Sequence, residues 1–222
     1  MNENIHPHEI RTETESGCKM PTNWLRLLFC FHAVSLAVSV IPDLFRNDTW
    51  LTWVSRGIMV GIMICLFQLS PANLRYRRSA ILKAVRLCLT LILSLVLSPI
   101  YTRLVMTNSE SSKLISAAVT VLNLAGLVLY HFAAYQEYHG HADMSAEADP
   151  KLARNWRGLF ILALALAVLS TAASYVAIQL FAMGEITAAA VNVISKVILV
   201  IERVLELLYL WYLYRMIRLF QN

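Results

Sequence analysis

The sequence predicts an all-α integral membrane protein, a bundle of six transmembrane helices with both the N-terminus and the C-terminus in the cytoplasm. Of its 222 residues, 58% are hydrophobic and only 15% are charged, whereas a soluble domain has about 45–50% apolar and about 25% charged residues. The apolar residues form long runs, and most basic residues lie on one side of those runs. This composition excludes a disordered chain and argues against a soluble globular enzyme.

Two apolar runs are long enough to cross a bilayer without help. Residues 158–184 and 114–136 contain no Asp, Glu, Lys or Arg over 27 and 23 residues, and a spanning helix needs about 20 residues. Four further runs reach this length if a charge near one end extends to the headgroups. The predicted spans are 24–44, 50–69, 84–105, 114–136, 158–183 and 187–212, a single membrane domain (24–222) that follows a polar cytoplasmic tail (1–23).

The positions of the basic residues predict the orientation. Thirteen of the 19 Lys and Arg residues fall on the side that holds the N-terminus, three fall on the other side and three lie within spans. Basic segments are retained in the cytoplasm more readily than they are translocated. We therefore expect a multi-pass protein of the cell inner membrane, with the lipid bilayer as its first partner.

The last predicted span carries more charge than a lipid-facing helix can. At about 100° per residue, its polar side chains share an arc of about 120°, which should face the bundle interior or a water-filled cavity. This polar stripe consists of Asn192, Ser195, Lys196, Glu202, Arg203 and Glu206.

Two interpretations of the polar stripe follow. In the first, the protein binds or conducts a small solute or ion, with Glu202 or Glu206 exchanging protons and Arg203 as counter-ion. In the second, the protein is a structural or assembly subunit of a membrane complex, partnered by other subunits or by itself, and the stripe is a salt-bridge lock. Further candidate counter-ions are Arg56 and Arg86 in other spans.

Basic and histidine-rich segments add two weaker expectations. Arg75, Arg77, Arg78 and Lys83 are predicted to contact lipid headgroups. The His139–His141 pair is predicted to lie in a cytoplasmic loop, from about Glu137 to Trp156, and resembles the pair formed by His6 and His8. In an extended segment both rings of a pair would point to one side, so a divalent-metal site is a third hypothesis.

Catalytic motifs are absent from the sequence. It contains no HExxH, GxSxG, P-loop or GxGxxG pattern, and the polar segments are too small for a nucleic-acid module. We therefore expect no enzymatic activity, no cofactor and no nucleic-acid partner. The function expected first is solute or ion binding along the last helix.

Overall fold

The protein is helical throughout the part of the chain that the computed structural model describes, which is residues 22–40, 48–106 and 111–221. A π-helical turn, Leu93–Leu97, joins the helices Leu74–Ile92 and Ser98–Met106 into one continuous rod, so the described residues form six helical rods. The predicted tail, 1–23, lies almost entirely outside the described residues, as do His6 and His8. The helices are α1 (Thr22–Val40), α2 (Asp48–Gln68), α3 (Leu74–Ile92), α4 (Ser98–Met106), α5 (Ser111–Ser145), α6 (Pro150–Ala182) and α7 (Ala188–Leu219).

Four of the six rods are long and apolar enough to span a membrane. They comprise Trp50–Gln68, Leu74–Leu104, Lys113–Ser145 and Pro150–Ala182. The all-helical prediction is therefore confirmed, and four of the six predicted spans correspond to helices of sufficient length and hydropathy. The rods α1 and α7 are not among the four, and α7 is the rod that carries the charges of the polar stripe.

The predicted loop from about Glu137 to Trp156 is wrong. Helix α5 continues to Ser145 and α6 begins at Pro150, which leaves a connection of only four residues. The sequence from Gln136 to Ser145 contains only one residue of poor helix propensity, Gly140. Every fourth residue from Ala133 to Ser145 is buried, so one continuous helical face packs inward.

Side chains at the helix starts explain where the connections end. The Asn73 Oδ1 accepts a hydrogen bond of 2.9 Å from the Arg75 amide and caps α3. The helix therefore begins at residue 74, ten residues before the start of the predicted third span. Asp149 caps α6 in the same way, with Pro150 in the first turn, and Thr187 caps α7. Gly184, at φ +78°, takes the left-handed conformation that ends α6.

The six rods form a closed ring in chain order. Each rod contacts its two neighbours, and α7 returns to α1. Most of the buried side chains lie at one end of the ring, where α1, α3 and α6 begin and α2, α5 and α7 end. We call this the closed end. Its largest fully buried side chains are Trp156, Tyr76, Leu25, Leu28, Leu66, Leu69, Leu152, Leu213 and Met216.

The π-helical turn precedes Pro99, which sits in the first turn of α4. Proline has no backbone N–H and its ring crowds the preceding turn, so the helix widens there instead of breaking. The hydroxyl of Ser94, within the widened turn, accepts a hydrogen bond of 2.8 Å from the Arg56 guanidinium of α2.

Two glycines of α5 should respond in opposite ways to alanine. A β-carbon on Gly140 would lie 3.1 Å from the Tyr76 ring, which is fully buried, whereas one on Gly126 would meet Leu89 at an ordinary 3.4 Å. Because alanine favours helix by about 0.5–1 kcal/mol, we expect Gly126→Ala to stabilise the protein and Gly140→Ala to destabilise it by about 1–3 kcal/mol. Thermal unfolding of the two variants in the same detergent checks this, and equal stabilisation by both would contradict it.

Candidate functional site

The ring of helices surrounds a cavity of about 920 Å³ to which each of the six rods contributes side chains. Most of the lining is apolar, as in solute-binding pockets, with a few charged groups that converge on the cavity. Three basic and three acidic side chains line it: Arg56, Lys83, Arg86, Glu137, Glu202 and Glu206.

Glu137 forms the centre of a buried polar cluster at the end of the cavity nearest the closed end. Its side chain is only 2% exposed and accepts hydrogen bonds on both oxygens. The Tyr209 hydroxyl donates to Oε1 at 2.5 Å, and the Lys83 ammonium lies 2.9 Å from Oε2. The His32 Nε2 lies 3.5 Å from Oε1, beyond a well-formed hydrogen bond, and forms no hydrogen bond with any other described residue.

The cluster continues from Tyr209 into the closed end. His141, fully buried, places Nε2 3.2 Å from the Tyr209 hydroxyl and Nδ1 2.8 Å from the Tyr76 hydroxyl. Because Tyr209 gives its one proton to Glu137, a neutral His141 must donate from Nε2 and accept at Nδ1. The hydrogen bonds then run in one direction, from Tyr76 through His141 and Tyr209 to Glu137.

This cluster, which we call the floor cluster, consists of His32, Tyr76, Lys83, Glu137, His141 and Tyr209. Its members come from α1, α3, α5 and α7, so it ties four of the six rods together. Lys83 and Glu137 neutralise each other, as buried charges require. The floor cluster therefore separates the cavity from the packed closed end.

The polar stripe of α7 divides between two environments. Glu202 and Glu206 line the cavity, and Arg203 donates to Glu206 at 2.6 Å, an ion pair within the helix itself. Glu202 has no hydrogen bond or ion pair with any described residue. The remaining members are exposed outside the cavity lining, and these are Asn192, Ser195 and Lys196.

The two candidate counter-ions line the cavity but do not pair with the acids of α7. The Arg56 guanidinium lies 4.8 Å from the Trp53 ring centre and donates to Ser94. The Arg86 guanidinium lies 4.5 Å from the ring centre of Tyr130. Within the described segments neither arginine forms an ion pair with a carboxylate. Both are held by neutral groups, so their charge remains available to the cavity.

The predicted headgroup residues also separate. Arg77 and Arg78 are exposed at the start of α3, and Arg75 pairs with Asp143 at 2.7 Å. Lys83, by contrast, is directed inward to Glu137 and is only 16% exposed. The headgroup role therefore remains a prediction for the three arginines, whereas Lys83 belongs to the floor cluster.

The His139–His141 pair lies on helix α5 and not in an extended loop. Residues two apart on a helix are about 200° apart around its axis. Accordingly, His141 joins the floor cluster, while the His139 ring packs against Tyr135 and Phe160. Among residues 22–40, 48–106 and 111–221, no group of three or more His, Cys, Asp or Glu side chains is arranged to hold a metal ion.

Sequence reasoning missed Glu137, Tyr76 and Tyr209 as members of one site. A signal was present, because Ala133, Glu137, His141 and Ser145 recur at intervals of four, the spacing of one helical face.

No family model, curated protein or solved structure matches this chain.

Proposed function

We propose that this protein binds a small solute or ion in its central cavity and transports it across the cell inner membrane, without catalysis. One observation carries the proposal: three charged side chains on three different helices, Arg56, Arg86 and Glu202, face the same cavity without neutralising one another. Among the residues that the structure describes, Glu202 has no ion pair, and the contacts of Arg56 and Arg86 are with neutral groups.

An unpaired charge at membrane depth has an energetic cost. Each one is destabilising by about 2.5–3.5 kcal/mol on the insertion scale, and opposite charges in contact would reduce that cost. A lock formed by the polar stripe would pair Glu202 with another helix, whereas the ion pair of the stripe lies within α7. Charges kept apart across a cavity are expected when a ligand completes their coordination.

The direction of access follows from the distribution of charge. Basic residues concentrate at the closed end, and basic segments stay in the cytoplasm. We therefore place the closed end and both termini in the cytoplasm, with solute entering from the opposite end. The basic residues at this end are Arg26, Arg75, Arg77, Arg78, Lys151, Arg154, Arg157, Arg215 and Arg218.

Thiol labelling tests solute access to the cavity. In a chain whose native cysteines are replaced by serine, a charged, membrane-impermeant methanethiosulfonate should modify Glu202→Cys from the outside within minutes. Leu199→Cys is the matched control, because Leu199 is exposed on the same helix but does not line the cavity. A lipid-facing thiol stays protonated and unreactive. Equal modification of both thiols, or of neither, would refute access through the cavity.

The stability of Glu202→Gln separates transport from the structural alternative. Removing an unpaired charge should raise the free energy of unfolding by about 1 kcal/mol, while removing a binding group. If the polar stripe is a lock in an assembly subunit, the same change should lower stability and reduce the amount of folded protein in the membrane. Unfolding in mixed micelles measures the sign, and Glu185→Gln, exposed on the α6–α7 connection, is the control.

A further inference from the structure

We infer that the ligand of the cavity is a zwitterion whose ammonium and acidic groups are separated by an apolar chain. This inference rests on the proposed function and names its substrate class. The positive group binds at Glu202 and Glu206 on α7, and the negative group binds at Arg86 on α3, assisted by Arg56.

The ring places the two sets of charge on opposite walls. Helix α3 contacts α2 and α5, whereas α7 contacts α6 and α1, so the two helices share no neighbour. In a ring of six they therefore lie across from each other. Helix α3 carries Lys83 of the floor cluster and helix α7 carries Tyr209. Both side chains reach the Glu137 carboxylate, so these two residues lie at the same depth along the ring axis.

The charges also lie at similar depths above that level. Arg86 is three residues from Lys83 in the direction away from the closed end, and Glu206 is three residues from Tyr209 in the same direction. At about 1.5 Å per residue both stand roughly 4–5 Å above the floor cluster. Glu202 lies about one helical turn farther from the floor cluster than Glu206 does. Acid and base thus face each other across the cavity at comparable depth.

The distance between the walls selects the spacing of charges in the ligand. Neighbouring helices pack about 8–10 Å apart, so opposite helices of the ring are about 16–20 Å apart between axes. Side chains from both walls shorten this gap without closing it, because Arg86 and Glu202 form no ion pair. A ligand with both charges on one carbon reaches one wall only. A ligand with several methylene groups between its charges reaches both.

Apolar side chains cover much of the surface between the charged walls. Ile58 and Met59 of α2 and Leu164 and Leu166 of α6 line the cavity between α3 and α7. They offer contact to a hydrocarbon chain and no partner to a polar one. A cation or an anion alone would leave one wall without a counter-charge, so the zwitterion is the form that satisfies the whole cavity.

A free ω-amino acid supplies this chemistry, whereas the headgroup of phosphatidylethanolamine has only two methylene groups between its charges. The test uses 6-aminohexanoate, with norleucine as its isomer carrying both charges on one carbon, and with hexanoate and hexylammonium as single-charge analogues. Calorimetric titration is performed on the full chain in phosphatidylglycerol nanodiscs. Unchanged 6-aminohexanoate binding when phosphatidylethanolamine is added supports a free solute, whereas loss of binding would show that a headgroup with a shorter charge spacing occupies the site and would overturn the inference.

We expect 6-aminohexanoate to bind at least tenfold more tightly than its isomer and than either single-charge analogue. Glu202→Gln and Arg86→Gln should each remove that preference, whereas Glu185→Gln and Lys113→Gln, exposed outside the cavity, should leave it unchanged. Equal affinity for norleucine, or for either single-charge analogue, overturns the inference, as does absence of binding. If 6-aminohexanoate does not bind but the thiol at position 202 is labelled as described above, the zwitterion inference fails and the proposed function stands. If that thiol is not labelled either, the inference and the proposed function both fail.

Discussion

Replacing Glu137 with glutamine is expected to lower the free energy of unfolding by about 3–5 kcal/mol. The change leaves the Lys83 ammonium, only 16% exposed, without the carboxylate that lies 2.9 Å away. Breaking a buried ion pair on one side has this cost because the remaining charge is neither hydrated nor neutralised. Glutamine preserves the shape of the side chain, so the loss reports charge and not packing.

A double-mutant cycle separates the ion pair from its surroundings. Lys83→Met alone should also be destabilising, whereas Glu137→Gln combined with Lys83→Met should recover much of the loss, because no charge is then left unpaired. Asp143→Asn is the matched surface control. It breaks the Arg75–Asp143 pair, whose side chains are 32% and 35% exposed, and should cost at most about 1 kcal/mol. Additive effects of the two buried changes in SDS-induced unfolding would disprove the coupling.

The all-helical fold and the longest apolar helices could be predicted from the sequence because a lipid environment imposes a simple rule on the backbone. A backbone in hydrocarbon must satisfy its own hydrogen bonds, so uncharged runs of sufficient length become helices. The run 114–136 accordingly lies within α5, and the run 158–183 lies within α6 apart from its last residue. The rule fixes the minimum length of such helices but not their ends, which depend on caps such as Asn73 and Asp149.

The floor cluster is not apparent from the sequence because the uncharged run 114–136, which predicts the fourth span, ends just before Glu137. Stopping the helix at residue 136 placed Glu137 and His141 in a loop, where neighbouring residues need not share a face. The observed helix continues for nine more residues and carries both inward. The basic segment predicts headgroup contact for Lys83, yet the side chains of Lys83 and Tyr209 both reach inward to the same carboxylate. Such contacts depend on tertiary packing.

The sequence predicts the direction in which the polar stripe faces but not the depth of each of its members in the ring. The angular positions of Glu202 and Glu206 place them toward the cavity, as the helical arc suggests. Lys196 lies about two turns farther from the closed end than these two acids, in a part of the helix where fewer side chains are buried. An arc on a helical wheel gives direction but not depth, so it cannot distinguish a position beside the cavity from one beyond it.

Replacing Trp156 with alanine should lower the free energy of unfolding by about 3–5 kcal/mol, the cost of removing a large aromatic side chain from a packed core. Trp156 is fully buried at the closed end, and its ring centre lies 4.6 Å from that of His141 and 5.3 Å from that of Tyr209. Removing it leaves a void directly beneath the floor cluster. Trp211→Ala is the control, since that side chain is 57% exposed on α7 and should cost little.

Trp156→Phe distinguishes packing from hydrogen bonding at the same position. The Trp156 indole N–H has no hydrogen-bond partner in the part of the chain that the structure describes, so phenylalanine loses volume but none of the described polar contacts, and we expect a cost of about 1–2 kcal/mol. A loss as large as that of alanine would mean that the indole N–H does bind a partner. If the closed end supplies the stability while the cavity supplies the binding, Trp156→Phe should leave modification of the thiol at position 202 unchanged. Impaired labelling in that variant would show that the closed end also controls access to the cavity.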